Sequence, residues 1–414
     1  MLLLDAAGPE AGTLAATAAA RGHQVYAATT EAAYAGWGPE LKALLSGHLV
    51  TNFARPDRAL DEIAVYARRR GVAAVLTVNE YLTELAAYLC AELGLPGNDP
   101  AQARAARDKA RMAETFARAG VHSPPAALVG DQADLRVFLE GPRVGFPYVV
   151  KPLAGAGSAG VTVANDPGEL AEAVDDARAT SDTGRDSAAP VLVQAYAAGS
   201  EFSVESLTQN GTPTHLAVTR KHVTSGAKRV ETGHSLPVTL PAAVEAAVYS
   251  AAEAAIRAVG IRHGASHTEV IVGEDGTCPV IEIGARLGSG HIGILLQHAL
   301  GLDVWTALLD VALGCPVAIN RSERGHATVR FVTSPRSGRL TSLRGFPETG
   351  PGVPFVRRRA VIGDLVQQPR ANSHRLGSFV VTGSDASEVE ERADALSRRI
   401  QVDVDSDPGI TAVS

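Results

Sequence analysis

Glu269 and Glu282 flank a turn whose spacing would set two carboxylates face to face. The stretch reads His267-Thr268-Glu269-Val270-Ile271-Val272, Gly273-Glu274-Asp275-Gly276-Thr277, then Cys278-Pro279-Val280-Ile281-Glu282-Ile283. Asp275-Gly276 is a preferred dipeptide for a two-residue type I′ hairpin turn. That turn makes Glu269 and Glu282 direct cross-strand partners, with Cβ atoms about 4.5–5.5 Å apart. Like charges so placed repel unless something positive intervenes, and Mg²⁺ held by one or two carboxylates plus substrate phosphates meets that need. The competing reading is a solvated pair, against which stand the apolar neighbours Val270, Ile271, Val280, Ile281 and Ile283. Pro279 falls where this register needs a ladder donor, so a bulge or another turn stays open.

A second cluster precedes it. Gly155-Ala156-Gly157-Ser158-Ala159-Gly160 joins two apolar runs, and Val161-Thr162-Val163 continues as strand. A Walker loop would continue into Gly-Lys-Ser/Thr and a helix. A glycine-rich hairpin instead lets backbone N–H groups approach phosphate oxygens, with Lys151 at the end of the preceding strand within reach. The plain alternative is a surface turn. Arg286 follows Glu282 in Gly284-Ala285-Arg286-Leu287-Gly288-Ser289-Gly290-His291, just before an apolar helix. An Arg beside a helix N-terminus suits an anion, including charge developing on a transferring phosphoryl group.

The elements that must carry these residues follow from periodicity. Strands at 1–4, 24–28 and 73–78 alternate with helices at 10–21, 60–70 and 81–93, which implies a parallel sheet with right-handed crossovers. The first turn, 6–12, lacks G-x-G-x-x-G, which counts against a dinucleotide-dependent oxidoreductase. Asp99-Pro100 opens a helix expected to run to about 119 with Asp108-Lys109 inside it. Strands follow at 146–151, 161–164 and 191–194, with a polar surface loop at 180–189. Strands 202–209 and 214–220 are joined through Asn210-Gly211, a hairpin signal. Helices are expected at 241–259 and, as one long rod, at 292–313. Strands 327–332, 355–359 and 378–382 and a helix at 386–400 make a small α+β tail.

Bulk properties narrow the function classes. A chain of 414 residues exceeds one hydrophobic core, so two or three domains are expected. With 45% hydrophobic and 20% charged residues the composition is globular, and the net charge of −7 argues against a nucleic-acid binder. Cys90, Cys278 and Cys315 are far apart in sequence, so neither a disulfide framework nor a zinc knuckle is indicated. The short apolar start and the lack of a ~20-residue apolar span predict a cytoplasmic protein without membrane contact.

The order of Lys109, Lys151, the glycine-rich hairpin, Val193-Gln194-Ala195-Tyr196, Glu201, Glu269 and Glu282 resembles the ATP-grasp superfamily. Glu282-Ile283-Gly284-Ala285-Arg286 and Glu231-Thr232-Gly233-His234-Ser235-Leu236-Pro237 look like the L-amino-acid ligases, dipeptide-forming enzymes of the alanine–anticapsin ligase kind. Thr77-Val78-Asn79-Glu80, Gly94-Leu95-Pro96-Gly97, Gly363-Asp364 and Arg375-Leu376-Gly377 extend the likeness over nearly the whole chain.

The resemblance implies an α/β protein with the ATP-grasp fold. It would comprise an N-terminal parallel-sheet domain (1–98), an ATP-grasp domain (99–316) with a lid at about 123–207, and a C-terminal α+β domain (317–414). The implied activity is ATP-dependent joining of a carboxylate, an amino acid, to an amine through an acyl phosphate. Lys109 and Lys151 would hold phosphates under a flap containing Gly157 and Ser158. Gln194, Ala195 and Ala197 would meet adenine, and Glu201 the ribose. Glu269 and Glu282 would bind one or two Mg²⁺ ions. Arg286 would steady the acyl phosphate, and Glu231, His234, Gly290 and His291 would face the amino-acid substrate. Two departures stand out: Gln194 replaces a usual Glu, and Gly284 occupies the place of a metal-binding Asn in many members. His234 could orient a carboxylate, take a proton from the amine or be structural. The partners implied are small molecules, with a homodimer the assembly allowed. The rival readings are a purine-pathway enzyme acting on an amino-ribonucleotide and a non-catalytic ATP sensor.

Overall fold

A computed structural model describes residues 1–6, 8–140, 145–180, 189–322 and 325–405, apart from the side chain of Gln132. The loop expected at 180–189 lies largely outside these residues. Four strands, β1 (Leu2–Leu4), β2 (Tyr26–Thr29), β3 (Gly47–Val50) and β4 (Val75–Leu76), form a parallel sheet in the order β3-β2-β1-β4. Between them run the helices Pro9–Ala20 and Pro56–Arg70, which begin at prolines pre-set for a first turn. Strands β1 and β2 are buried along their whole length, as parallel strands covered on both faces must be.

The next four strands, β5 (Ala126–Val129), β6 (Tyr148–Pro152), β7 (Thr162–Ala164) and β8 (Val191–Ala195), make an antiparallel sheet ordered β5-β8-β6-β7. The helix Pro167–Thr180 packs on it through Leu170, Ala173, Val174 and Ala177. This unit carries the glycine-rich segment between β6 and β7.

The largest sheet has eight strands. Five precede residue 300: β9 (Ser200–Gln209), β10 (Thr212–Val223), β11 (Glu231–Leu236), β12 (Gly264–Val272) and β13 (Val280–Gly284). The tail supplies β14 (His326–Val332), β15 (Gly338–Arg344), β16 (Phe355–Arg358), β17 (Leu365–Val366), β18 (Gly377–Gly383) and β19 (Gln401–Asp405). The order is β13-β12-β9-β10-β11-β14-β18-β16, while β17-β15-β19 stand apart as a small sheet. Three tail strands thus extend the central sheet directly. Asn210 (φ 52°) and Gly211 (φ 79°) turn β9 into β10 in the left-handed conformations that a type I′ turn requires.

Two expected helices break. The helix anticipated from 99 to 119 stops after Ala103 and restarts at Lys109. Asp108 causes the restart: its carboxylate accepts from Ala110 N and Arg111 N, a cap that competes with continuing the helix. The rod expected at 292–313 is two helices, Ile292–Leu300 and Val304–Ala312, bent by 115°. Gly301 takes a left-handed φ of 59° and Asp303 caps the second helix by accepting from Thr306 N. Both helices are buried around Leu296 and Trp305, and no single helix among the described residues is long and apolar enough to cross a membrane.

The cysteines carry a direct test. Cys90 and Cys278 are buried and Cys315 is exposed. Burial pushes the Cys90 thiol up to about 12, so little thiolate forms near neutrality. Native protein treated with a thiol-reactive chromophore at pH 8 should modify one cysteine rapidly and the other two only after unfolding. Two fast thiols would contradict the packing of Cys90 or Cys278.

Candidate active site

The expected two-residue turn does not form. Gly276 N donates to Gly273 O, Gly273 N to Thr277 O, and Gly276 has φ 79°, so the loop holds three residues, Glu274, Asp275 and Gly276. The extra loop residue would shift the register by one. A bulge between the pairs Glu269↔Glu282 and Val270↔Val280 shifts it back, leaving Ile281 as the additional residue. Pro279 only accepts, from Ile271 N, so its missing N–H costs nothing. The two glutamates end up opposite each other.

They line one cleft of about 1230 Å³, open solvent included, between the β5–β8 sheet and the central sheet. Lys109, Lys151, Gly157, Ser158, Gln194, Ala195, Ala197 and Glu201 also line it. So do Glu231, His234 and Arg286, drawn from β11 and the loop after β13. Gly290 and His291, assigned to the substrate, do not line the cleft. His291 is wedged between Phe331 and Phe355 and hydrogen-bonds Ser378 Oγ at 3.0 Å through Nε2. Burial, then Arg357, hold its imidazole down to about 4, so it is neutral at physiological pH. Gly290 acts through its neighbour: a Cβ there would lie 2.6 Å from His234 Cε1, and its φ of 72° is left-handed. Gly290→Ala should therefore cost roughly 1–2 kcal/mol of stability from the backbone alone and displace the imidazole. A denaturant melt together with the His234 proton resonances checks this, and an unmoved imidazole would contradict it.

Three cations hold the acidic floor. Lys221, on β10 and buried, places Nζ 2.9 Å from Glu201 Oε1, 3.2 Å from Glu231 Oε1 and 2.7 Å from Glu269 Oε1. Burial opposes its charge, but Glu269, Glu201 and Glu231 together hold the ammonium well above the usual lysine range. Lys109 Nζ lies 3.0 Å from Glu282 Oε1 and donates to Gly155 O at 2.9 Å. It points there because Lys109 begins its helix, with its own N–H bonded to Leu153 O. Arg286 Nε meets Glu80 Oε2 at 2.5 Å. Lys151 is different. It is buried and makes no ion pair among the described residues, and burial, partly offset by Glu282, lowers its pKa. A buried ammonium facing a cleft without a counter-ion invites an anion.

Behind Glu269 stands a relay. His267 Nε2 is 3.4 Å from Glu269 Oε1, and its Nδ1 bonds the fully buried Glu205 at 2.9 Å. Burial disfavours the imidazolium, but Glu205 and then Glu269 raise its pKa to about 9. Glu231 Oε2 accepts from Asn372 Nδ2 at 2.9 Å and Arg375 Nη2 at 2.8 Å. Against its burial, Lys221 and His234 keep the Glu231 carboxyl well below the usual range, so it is an anion rather than a proton acceptor. His234 Nε2 lies 3.4 Å from Glu231 Oε2 without hydrogen-bond geometry and is buried unsatisfied.

Lys221 and Asn372 escaped the sequence analysis, and Glu80 and Arg375 entered it only within motifs, without a role in the site. At Lys221 the flanking Arg220 and His222 hide which basic residue points inward. Asn372 carried no signal. Among the described residues no group of three or more His, Cys, Asp or Glu could hold a metal ion, so the opposed glutamates would bind one only with ligands from outside the protein. Two carboxylates with phosphate oxygens completing the shell is the arrangement Mg²⁺ accepts.

Comparison with known proteins agrees with this architecture. Residues 144–293 match the ATP-grasp domain, 15–97 the ATP-grasp N-terminal domain and 330–405 the L-amino acid ligase C-terminal domain 2. The chain is an ATP-grasp protein. Within that class it is L-amino-acid-ligase-like. It superimposes on the L-amino acid ligase of Bacillus licheniformis with a TM-score of 0.81 at 20% identity, covering 98% of both chains. It is 28% identical to dapdiamide A synthase of Enterobacter agglomerans over 72% of either chain. It is 29% identical to alanine–anticapsin ligase of Bacillus subtilis strain 168 over 62% of this chain, spanning only 57% of that relative's length.

Proposed function

We propose that the protein is an ATP-dependent carboxylate–amine ligase that joins an amino-acid carboxylate to an amine, releasing ADP and phosphate. The observation that carries this is the opposed Glu269–Glu282 pair, with Lys109 and Lys151 beside it and the Gly157–Ser158 flap above it. In this reading a carboxylate oxygen of the first substrate attacks the γ-phosphorus of ATP, giving an acyl phosphate and ADP. The amine nitrogen then attacks the acyl carbon, the C–O bond to phosphate breaks, and an amide forms.

Lys151, the ammonium without a counter-ion among the described residues, receives the phosphates, and Lys109 joins it by leaving Glu282. Gln194 and the backbone of Ala195 and Ala197 meet adenine, and Glu201 meets the ribose. Magnesium, when bound at Glu269 and Glu282, would neutralise phosphate charge and polarise the transferring group. Arg286, aimed by Glu80, stabilises the acyl phosphate. Glu231 holds the substrate ammonium electrostatically, and the unsatisfied His234 Nε2 faces the substrate end of the cleft.

The test is a matrix of amino-acid pairs screened for ATP-dependent phosphate release, with mass detection of the condensed product. Release that needs two amino acids and yields their dehydrated sum supports the ligase. Release driven by an amino-ribonucleotide, or nucleotide binding with no release under any pair, would overturn it.

A further inference from the structure

Among the described residues, Asn372 is the only one beyond position 289 that lines the cleft, and it comes from the C-terminal tail. Its backbone N–H donates to Gly157 O in the flap at 2.9 Å. Its side chain grips the floor: Oδ1 accepts from Glu231 N at 3.2 Å and Nδ2 donates to Glu231 Oε2 at 2.9 Å. One residue thus spans the cleft from the flap over the phosphates to the acidic group at the substrate end.

The neighbouring residues hold it in place. Arg375 binds Glu231 O and Oε2 at 3.0 and 2.8 Å while its guanidinium lies over the Phe331 ring at 3.6 Å. Arg370 reaches Asp176, on the lid helix, at 3.1 Å. The flap must open to admit a nucleotide. Opening breaks the Gly157–Asn372 bond and the exposed Arg370–Asp176 pair, together with the bonds of Lys228 to Asp176 and Thr162 and of Val163 N to Ala227 O, whereas the Glu231 contacts stay behind on the floor.

We propose that Asn372 is a positioning residue that couples closure of the glycine-rich flap to the orientation of Glu231, with residues 370–375 acting as the latch. This rests on the ligase reading for its chemistry but not for its nucleotide-binding consequence. A seated flap keeps water from the acyl phosphate until the amine attacks. With the side chain removed, only Arg375, three residues on, ties this segment to Glu231, so flap closure and Glu231 orientation are coupled more weakly.

Asn372→Ala should raise the ratio of phosphate released to amide formed several-fold, lower kcat for amide about tenfold and speed dissociation of a fluorescent ADP analogue. Arg370→Ala, on an exposed side chain, should speed ADP dissociation more weakly and leave thermal stability unchanged. An unchanged phosphate-to-amide ratio and ADP off-rate in a folded Asn372→Ala protein would overturn the latch. Should Asn372→Ala fail to fold, an unchanged ADP off-rate in Arg370→Ala would overturn it. Parent protein that binds the ADP analogue without making any amide would sink the ligase reading instead, and faster release from the variants would still support the latch.

Discussion

Glu282→Gln should abolish amino-acid-dependent phosphate release, with a fall of about 10²–10⁴ in kcat, the range expected when several kcal/mol of charge stabilisation is lost. The substitution is isosteric and its bulge geometry depends on the backbone, so the hairpin should persist. It removes one of two opposed anions and the 3.0 Å partner of Lys109. With the negative charge halved, the pair no longer attracts a divalent cation strongly, whereas Lys151 still attracts phosphate. ADP binding by fluorescence should therefore weaken much less than turnover. Steady-state phosphate release beside an ADP titration separates these effects. Turnover within about threefold of the parent would remove the glutamate pair from the chemistry.

Lys221→Met should produce the largest loss of stability, about 3–5 kcal/mol, because it leaves buried carboxylates without their shared cation. The methionine side chain occupies similar volume, so packing contributes little to the change. Glu201, Glu231 and Glu269 all lie within 3.2 Å of the lost ammonium. Arg375 and Asn372 still compensate Glu231, and His267 still compensates Glu269, but among the described residues Glu201 keeps only Arg229 at 3.9 Å. Urea unfolding followed by circular dichroism measures the loss. A midpoint equal to the parent's would show that solvent already screens the cluster. Magnesium with ADP should restore part of the stability, since it takes over the neutralisation of Glu269.

The site was legible in the sequence wherever its geometry is local. The Glu269–Glu282 pairing followed from counting residues across a turn, although the turn type was wrong: a third loop residue and a bulge each move the register by one and cancel. Lys151, Gly157 and Ser158 share one hairpin, so their proximity is covalent. The helix breaks at Asp108 and Gly301-Leu302-Asp303 were also marked, by an N-cap residue and by a Gly followed by a capping Asp. Apolar periodicity on both sides concealed them.

Composition, strand and helix periods, and the spacing of Gly, Lys and Glu indicated the parallel N-terminal sheet and the hairpin chemistry, while most of the residues that share the cleft entered only through the resemblance to the ATP-grasp superfamily. Tertiary structure alone decided which cation answers each carboxylate. Lys221 reaches Glu201, Glu231 and Glu269 on three other strands, Arg286 reaches Glu80, and Asn372 reaches Gly157 across more than two hundred residues. It also separated His234, in the cleft, from His291, packed between aromatic rings. Local propensity acts over a few residues. A buried charge is satisfied by whichever partner the packed sheets bring within about 3 Å, and sequence distance places no limit on that choice.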